Sequence, residues 1–239
     1  MRRFIVLPVL WVAVGCAQVR QPFEERFDAS DIFQVAAQST RGDVSYRGAE
    51  TLDIDLIGTS FGIGANRDRA TERAEANVWS LDVEGDTLFI DAVSERRAGV
   101  DFTLNGPGVM DFDLRLDRGD VHLHDVEGFV FARARRITTR RYVGSADIDV
   151  SGRADVELWP WVGTNSLIRA RSGVRLQLPF GGDYELHVTA PFGTEFFADD
   201  LGFDDVWVED GYFYAARFPA TTRIDVVLDG GTFTLREAR

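Results

Sequence analysis

The 239-residue chain carries 39 acidic and 26 basic side chains, which gives a formal net charge of −13 at neutral pH. Every basic residue is arginine, and Cys16 is the only cysteine, so no disulfide can form within the chain. Phosphate backbones and anionic bilayers repel so acidic a surface, which argues against nucleic acid as the main partner. The length fits one domain of ordinary size with its own core.

The first residues have the features of a secretory signal. Arg2 and Arg3 precede an apolar run over residues 4–15, which is too short to span a bilayer. The sequence AVGC (13–16) resembles a bacterial lipobox, with Ala13 where leucine is commonest. The resemblance implies that residues 1–15 are removed and that Cys16 is lipidated. Ordinary signal peptidase cleavage, with Cys16 incidental, is the alternative.

Residues 16–29 have no clear period, and we expect them to form the lipidated cysteine and a short tether. Ala17 follows Cys16 where an aspartate would be the inner-membrane signal, so the lipobox resemblance implies the outer membrane. Without residues 1–15 the formal charge becomes −15, because Arg2 and Arg3 are lost. The sequence therefore predicts an exported protein of the bacterial cell envelope, attached to the membrane through Cys16.

From about residue 30 the chain alternates apolar and polar residues with period two, which is typical of strands with one wet face. In 111–116, for example, Phe112, Leu114 and Leu116 share one face. The alternating segments are 52–57 (LDIDLI), 111–116 (DFDLRL), 145–151 (SADIDVS), 173–179 (GVRLQLP), 183–189 (DYELHVT) and 222–228 (TRIDVVL). The pattern predicts an all-β protein.

Glycines separate the alternating segments, so that short units of turn, strand and turn recur at roughly 20–29 residues, the spacing of solenoids and arrays. The units are 41–48 (RGDVSYRG), 118–128 (RGDVHLHDVEG), 144–152 (GSADIDVSG), 171–181 (RSGVRLQLPFG) and 229–237 (DGGTFTLRE). No unit can bury its inward aliphatics alone, whereas stacked neighbours gain about 1.5–3 kcal/mol per buried side chain. We predict a single-domain β-solenoid of stacked short strands with glycine turns over residues 30–239.

These units resemble the DUF4097/DUF2807 group of bacterial β-strand-repeat proteins, a group described as adhesins. The resemblance covers about residues 35–237 and is strongest over 111–202. It implies a β-solenoid on an exported or membrane-tethered chain, with no agreed catalytic residues. Two stretches depart from it. Residues 64–79 are polar and mildly helical, as an insertion would be, and residues 199–219 are acidic and aromatic.

Two functional interpretations of residues 115–128 compete with that of a repeat unit, namely a metal or ligand site and an adhesion motif. His122 and His124 alternate with inward Val121 and Leu123, so they project from the outer face and are candidates, with a carboxylate, for a cation or ligand site. A closed zinc site needs four ligands, no thiolate is present in the domain, and solvated strand residues are the favoured reading. We therefore predict no metal ion and no cofactor.

The triplets 41–43 and 118–120 read Arg-Gly-Asp, the form of an integrin-type adhesion motif. Both fall where a repeat unit needs a turn glycine followed by the first strand residue. That structural role accounts for them, and we favour it over receptor recognition.

Outward aspartate pairs, including Asp111/Asp113 and Asp147/Asp149, would form carboxylate rows if successive units stack. Like charges about 4.8 Å apart repel, so calcium or interleaved arginines would be needed. Such rows are the candidate site of a polysaccharide-processing enzyme of the β-helix lyase or hydrolase type. Nothing in the sequence marks one pair as an active site.

A basic island over residues 132–141 interrupts the acidic chain. Its arginines are candidates for contact with lipid phosphates or acidic polysaccharide, although pairing with acids of adjacent units is favoured. They are Arg133, Arg135, Arg136, Arg140 and Arg141. Aromatic residues gather at 158–163 and 196–214, where core and end packing is favoured over a carbohydrate platform of Trp159, Trp161 and Trp207.

The sequence therefore favours a non-catalytic, adhesin-like interaction module of the envelope that binds through a rigid polar β-face. An envelope glycan or protein is the expected partner, besides the membrane. The enzyme that uses the aspartate rows is the alternative, and a structural role in the envelope is a third reading. A converging cleft would indicate an enzyme, and a uniform face would indicate a module.

Overall fold

The computed structural model describes residues 16–238, so the predicted signal peptide over residues 1–15 lies outside the described residues. Its helix is α1 (Arg67–Glu75). Its strands are β1 (Ala17–Asp28), β2 (Gln34–Ser39), β3 (Val44–Ala49), β4 (Asp53–Gly64), β5 (Val78–Glu84), β6 (Thr87–Val93), β7 (Ala98–Pro107), β8 (Asp111–Leu116), β9 (Asp120–His124), β10 (Glu127–Ala134), β11 (Arg136–Arg140), β12 (Tyr142–Val150), β13 (Ala154–Pro160), β14 (Asn165–Ala170), β15 (Val174–Leu178), β16 (Tyr184–Thr189), β17 (Phe196–Ala198), β18 (Asp205–Glu209), β19 (Tyr212–Ala216), β20 (Thr222–Leu228) and β21 (Phe233–Glu237). The all-β prediction is confirmed.

The strands form two sheets. Sheet I runs β5-β6-β2-β8-β10-β12-β14-β20-β16-β19-β18. Sheet II runs β1-β4-β7-β3-β9-β11-β13-β15-β21-β17. Strand β13 also reaches sheet I at its end, where Leu158 pairs with Tyr142. The interior pairings of both sheets are parallel, and antiparallel strands extend sheet I at both ends and sheet II at the β1 end.

Each sheet I strand of the parallel region is followed in the chain by a sheet II strand, and we call such a pair a rung. The rungs stack in the order β6/β7, β2/β3, β8/β9, β10/β11, β12/β13, β14/β15, β20/β21 and β16/β17. The order departs from the sequence at both ends, because β2/β3 lies inside β6/β7 and β20/β21 lies inside β16/β17. Each rung rises about 4.8 Å, the spacing between hydrogen-bonded strands.

The period-two alternation places apolar residues inside. Strand β8 buries Phe112, Leu114 and Leu116, and the segments of β12, β15, β16 and β20 follow the same rule. Segment 52–57 departs from it at its start, where Leu52 is 73% exposed because it precedes β4. The inward residues of both sheets form one core, and Tyr46 of β3 meets Phe112 of β8 edge to face with ring centroids 4.9 Å apart.

Glycine is required where the backbones of neighbouring rungs approach most closely. A Cβ on Gly119 would lie 1.9 Å from the carbonyl oxygen of Gly42, and a Cβ on Gly144 would lie 1.9 Å from that of Gly128. No side chain fits in that space. The regular glycines therefore mark the corners at which one rung stacks on the next.

The tether prediction for residues 16–29 is wrong over most of its length, because residues 17–28 form β1. Strand β1 pairs antiparallel with β4 along all twelve residues, from Ala17 opposite Gly64 to Asp28 opposite Asp53. Phe23 lies over Gly58, where a Cβ would clash with its ring, and stacks on Trp79 with centroids 3.8 Å apart. The apolar alternation of this segment is incomplete, with Val19, Phe23 and Phe27 on the half-buried face and Gln21 and Glu25 between them, and backbone pairing with β4 completes the strand.

The departures from the repeat are located at the two ends of the stack. Residues 64–79 include α1, whose N-cap Asn66 accepts a hydrogen bond from the backbone of Arg69, as predicted for a helical insertion. Residues 199–219 include the hairpin β18–β19. Every residue of the outermost strand β18 is exposed, and its carboxylates Asp205 and Glu209 oppose pairing with another chain's edge.

Candidate functional site

The outer face of sheet I is a grid of side chains in register. Its central column contains, in order, Phe89, Ala36, Asp113, Phe131, Asp147, Leu167, Asp225 and His187. Acidic and apolar side chains alternate from Asp113 to Asp225, so Asp113 and Asp147 are two rungs apart, with Phe131 between them. This column repeats an acid every two rungs, about 9.6 Å.

The other two predicted acids are also kept apart. Asp149 lies between Arg133 and Arg169 of the neighbouring rungs, in the next column. Asp111 Oδ1 accepts the backbone N–H of Phe129 at 2.6 Å. The prediction that these aspartates stack into carboxylate rows is wrong, because the register interleaves them with arginine and aromatic residues.

Asp113 is held by Arg115, whose guanidinium donates two hydrogen bonds of 2.9 Å to the carboxylate. The same guanidinium lies 5.3 Å from the centroid of Phe131, and that of Arg133 lies 5.2 Å from it on the same ring. These distances are within the range of cation–π attraction. The centre of the face is therefore an ordered patch of fixed charges around one aromatic ring.

His122 and His124 project from sheet II as predicted, half-buried between buried Val121 and Leu123. His122 lies between Ser45 and Thr138 of the adjacent rungs, and His124 follows two residues later, beside Arg47 and Arg140. Burial and then the charge of Arg47 lower the pKa of His124. Flanking guanidinium groups repel a cation, so this pair is a poor metal site.

Among residues 16–238 no group of three or more histidine, cysteine, aspartate or glutamate side chains is placed to hold a metal ion. The four predicted aspartates lie on sheet I and the two predicted histidines lie on sheet II, so the six side chains do not converge. In the same part of the chain, no helix is long and apolar enough to cross a bilayer.

The two Arg-Gly-Asp triplets lie one on the other at the corner that precedes sheet II. The backbone N–H of Asp120 donates to Asp43 Oδ1 at 2.8 Å, and the N–H of Asp43 donates to Asp101 Oδ1 at 3.1 Å. Burial raises the pKa of Asp101, although the N–H of Asp43 opposes the shift. Asp43 is thus a structural hydrogen-bond acceptor, and the carboxylate of Asp120 accepts from Arg135, which supports the interpretation of both triplets as parts of repeat units.

Three arginines of the basic island pair with acids of an adjacent rung. Arg135 donates to both carboxylate oxygens of Asp120 at 2.8 and 2.7 Å, and Arg140 donates to Asp155 at 3.1 Å twice. Arg141 pairs with Asp125 and holds the pKa of that carboxyl below its usual range.

Arg133 and Arg136 are exposed. Arg133 lies against Phe131, and Arg136 is in register with Asp120. Most of the island's charge is therefore neutralised by neighbouring rungs, and a binding role for its five arginines stays a prediction.

The carbohydrate platform of three tryptophans, the alternative to core and end packing, does not form as one surface. Trp159 lies in register with Val143 of β12, and Trp161 follows directly after β13. Trp207 lies on β18, five strands away from β12 in sheet I. Trp207 is instead part of another cluster.

That cluster, which we call the terminal aromatic site, lies at the β18 end of sheet I. The sequence did not predict it. It consists of Glu185, His187, Asp205, Trp207, Tyr212 and Tyr214, on the three strands β16, β19 and β18. His187 Nδ1 lies 2.8 Å from the Tyr212 hydroxyl, and its Nε2 is hydrogen-bonded to Glu185. The spacing of Tyr212 and Tyr214 across a tight hairpin from Trp207 was the available signal.

The comparisons with known proteins give structural likeness only. No family model matches the chain, and no curated protein matches it in sequence. A "putative cell adhesion protein" from Clostridium sporogenes is similar over 91% of this chain and 100% of its own, at 11% identity and a TM-score of 0.45.

Two further solved structures resemble the chain. A "putative adhesin" from Bacteroides fragilis covers 90% of this chain and 97% of its own, at 11% identity and a TM-score of 0.28. A "putative lipid binding protein" from Parabacteroides distasonis covers 90% and 96%, at 10% identity and a TM-score of 0.33. At such low identity, function has to be argued from the residues of this chain.

Proposed function

We propose that this protein is a non-catalytic, adhesin-like binding module of the bacterial cell envelope, and that the outer face of sheet I contacts an envelope glycan. The observation that carries the proposal is the central column, in which Asp113, Phe131, Asp147 and Leu167 alternate in register. An acid and an apolar group every two rungs, about 9.6 Å, suit a linear polymer with a two-sugar repeat. Carboxylates accept sugar hydroxyls, and apolar side chains cover sugar ring faces.

The rigidity of the face favours binding. Its strands are held by parallel pairing on both sides, and the glycines let the backbones of neighbouring rungs pack in direct contact. A surface that is ordered before it meets its ligand loses little conformational entropy on binding. The proposal extends to the architecture, which we interpret as a short β-solenoid whose rung order is permuted at both ends.

An anchor is the second part of the proposal. Cys16 is exposed and immediately precedes β1, so an acyl-modified Cys16 would join the fold with no intervening loop. One acyl chain binds a bilayer weakly, whereas two or more give stable attachment. We propose attachment to the outer membrane, with β1 limiting the directions in which sheet I faces. Anchoring raises the effective concentration of many weak sites facing one polymer.

The alternative polysaccharide-processing enzyme needs two carboxyl groups that flank one scissile bond, about 5–9.5 Å apart, with room for water or the leaving group. The four candidate acids do not provide a free pair. Asp113 is held by Arg115, Asp111 binds a backbone N–H, and Asp149 has an arginine on each side. These contacts support a binding face over an active site.

A glycan array tests the face. The full chain with Cys16→Ser, together with its Phe131→Ala and Leu167→Ala variants, is applied to acidic, neutral and amino-sugar polysaccharides with and without calcium. Phe192→Ala is the matched control, because Phe192 is 89% exposed in the loop between β16 and β17 and is not part of the column. We expect binding that both face variants weaken about tenfold and that the control and calcium leave unchanged.

Failure of every polysaccharide to bind, or equal binding by the face variants and the parent, would overturn the glycan-binding face. Loss of binding by Phe192→Ala as well would show that the array reports folding and not the face. Thermal unfolding of each variant excludes that cause beforehand.

The anchor has its own test. Cells that express the wild-type chain or Cys16→Ser are grown with an alkyne-labelled fatty acid, and the protein is followed by gel fluorescence and membrane fractionation. We expect label and outer-membrane recovery for the wild type alone. Unlabelled wild-type protein would refute lipidation and leave the sheet I face untouched.

A further inference from the structure

The terminal aromatic site presents ring faces and carboxylates in one open recess. It is lined by His187, Asp205, Trp207, Tyr212 and Tyr214. Glu185 lies next to the recess and is hydrogen-bonded to His187. In the register of sheet I, His187 is opposite Tyr214, and Tyr214 is opposite Trp207. The recess is therefore built on three hydrogen-bonded strands and not on a loop, which keeps its geometry fixed.

The rings hold one another in place. His187 lies 5.1 Å from Tyr214 and Trp207 lies 5.5 Å from Tyr212, centroid to centroid, both edge to face. The hydrogen bond of 2.8 Å between His187 and the Tyr212 hydroxyl fixes the fourth ring. Trp207 remains 49% exposed, so part of its ring face is open to a ligand.

The charges around the rings are predominantly negative. Glu185 and Asp205 flank Tyr214, and burial followed by these two carboxylates raises the pKa of its hydroxyl. The guanidinium of Arg223, which is opposite Glu185 on the adjacent strand, donates to both carboxylate oxygens of Asp225 at 2.9 Å. Anions are therefore disfavoured in the recess and cations are favoured.

We propose that the terminal aromatic site binds a small organic cation, namely a quaternary ammonium or alkylammonium group. Aromatic faces attract such a group within about 6 Å of their centroids, with tryptophan and tyrosine as the strongest partners. Asp205 supplies the counter-charge at the rim, and Trp207 and Tyr214 supply the ring faces. The site is separate from the centre of sheet I and does not depend on lipidation of Cys16.

Titration calorimetry with choline and tetramethylammonium tests the site on the full chain with Cys16→Ser. The neutral isostere 3,3-dimethylbutanol has the shape of choline without its charge, and N-acetylglucosamine is a neutral sugar. We expect both cations to bind and the isostere to bind at least tenfold more weakly. Stronger binding of the sugar than of choline would overturn the cation assignment in favour of a carbohydrate platform.

Variants locate the site. Trp207→Leu is expected to weaken choline binding about tenfold, and Asp205→Asn about threefold to tenfold, because each removes one attraction. Trp161→Leu is the control, because Trp161 is an exposed tryptophan outside the site. Unchanged choline affinity in Trp207→Leu, or equal binding of choline and its isostere, would refute the proposal. Trp207 is at a sheet edge, so unaltered thermal unfolding is expected for its variant.

Discussion

Asp43 and Asp120 are joined by a hydrogen bond of 2.8 Å from the backbone N–H of Asp120 to Asp43 Oδ1. They are the aspartates of the two Arg-Gly-Asp triplets, 77 residues apart in the chain. The same device recurs one rung away, where Asp43 donates to Asp101. The Arg-Gly-Asp triplets, which resemble an adhesion motif in sequence, thus connect neighbouring rungs.

Asp43→Ala is expected to lower the free energy of unfolding by about 1.5–3 kcal/mol, because it removes a charged acceptor from a half-buried N–H. Urea denaturation measures the change. Asp82→Ala on the exposed edge strand β5 is the control, with a change within about 0.5 kcal/mol. Equal effects of the two substitutions would contradict a structural role for the triplet.

Gly119→Ala is expected to be among the most damaging single substitutions, above about 3 kcal/mol, because its Cβ would lie 1.9 Å from the carbonyl oxygen of Gly42. Gly85→Ala is the comparison. Gly85 has a φ of +63° with nothing within 4 Å of a Cβ, so only local backbone strain of about 1–2 kcal/mol is expected. Thermal unfolding that ranks the two in the opposite order would show that rungs are not closely stacked at this corner.

Phe23→Ala distinguishes a strand from a tether. Phe23 stacks on Trp79 and covers Gly58, so its loss is expected to cost about 2–4 kcal/mol. Gln18→Ala, at an exposed position of the same strand, is expected to be neutral. If Phe23→Ala leaves the urea midpoint unchanged, residues 17–28 behave as a tether and β1 contributes nothing to the fold.

The pair of Arg141 and Asp125 predicts a pH dependence with a definite sign. Because Arg141 lowers the folded-state pKa of Asp125, the pair stabilises the fold above the unfolded-state pKa of about 3.9 and loses that contribution as the pH falls through the lower folded-state value. Arg141→Gln is therefore expected to be less stable than the wild type at pH 6, with the difference shrinking as the pH falls through the folded-state pKa of Asp125. A difference that does not change as the pH is lowered would exclude the linkage.

Local sequence patterns predicted the strands but not their neighbours. The alternation in 111–116 identifies Phe112, Leu114 and Leu116 as buried because inside and outside are decided within one strand. The register that places Phe131 between Asp113 and Asp147 depends on which rungs are adjacent, which no single strand encodes. The carboxylate-row prediction was wrong for this reason.

Two other features, strand β1 and the terminal aromatic site, could not be predicted from local sequence patterns. The apolar alternation of strand β1 is interrupted at Gln21 and Glu25, so the segment shows no clear period, and its order comes also from pairing with β4 and from Phe23 against Trp79. The terminal aromatic site joins His187 with Trp207 through an antiparallel turn that interrupts the repeat. In both places the structure depends on pairing with a strand distant in sequence, which the segment's own residues do not encode.

The central claim is that sheet I stacks rung on rung with Asp147 beside Leu167 and one rung from Phe131. In a Cys16→Ser background, the pair Asp147→Cys and Leu167→Cys would place two thiols on adjacent strands, about 4.8 Å apart at Cα, within disulfide reach. The pair Phe131→Cys and Leu167→Cys would be two rungs apart, at about 9.6 Å, beyond it. Mild oxidation followed by mass spectrometry is expected to show the intramolecular disulfide in the first pair alone. Its absence there, or equal formation in both pairs, would contradict the stack.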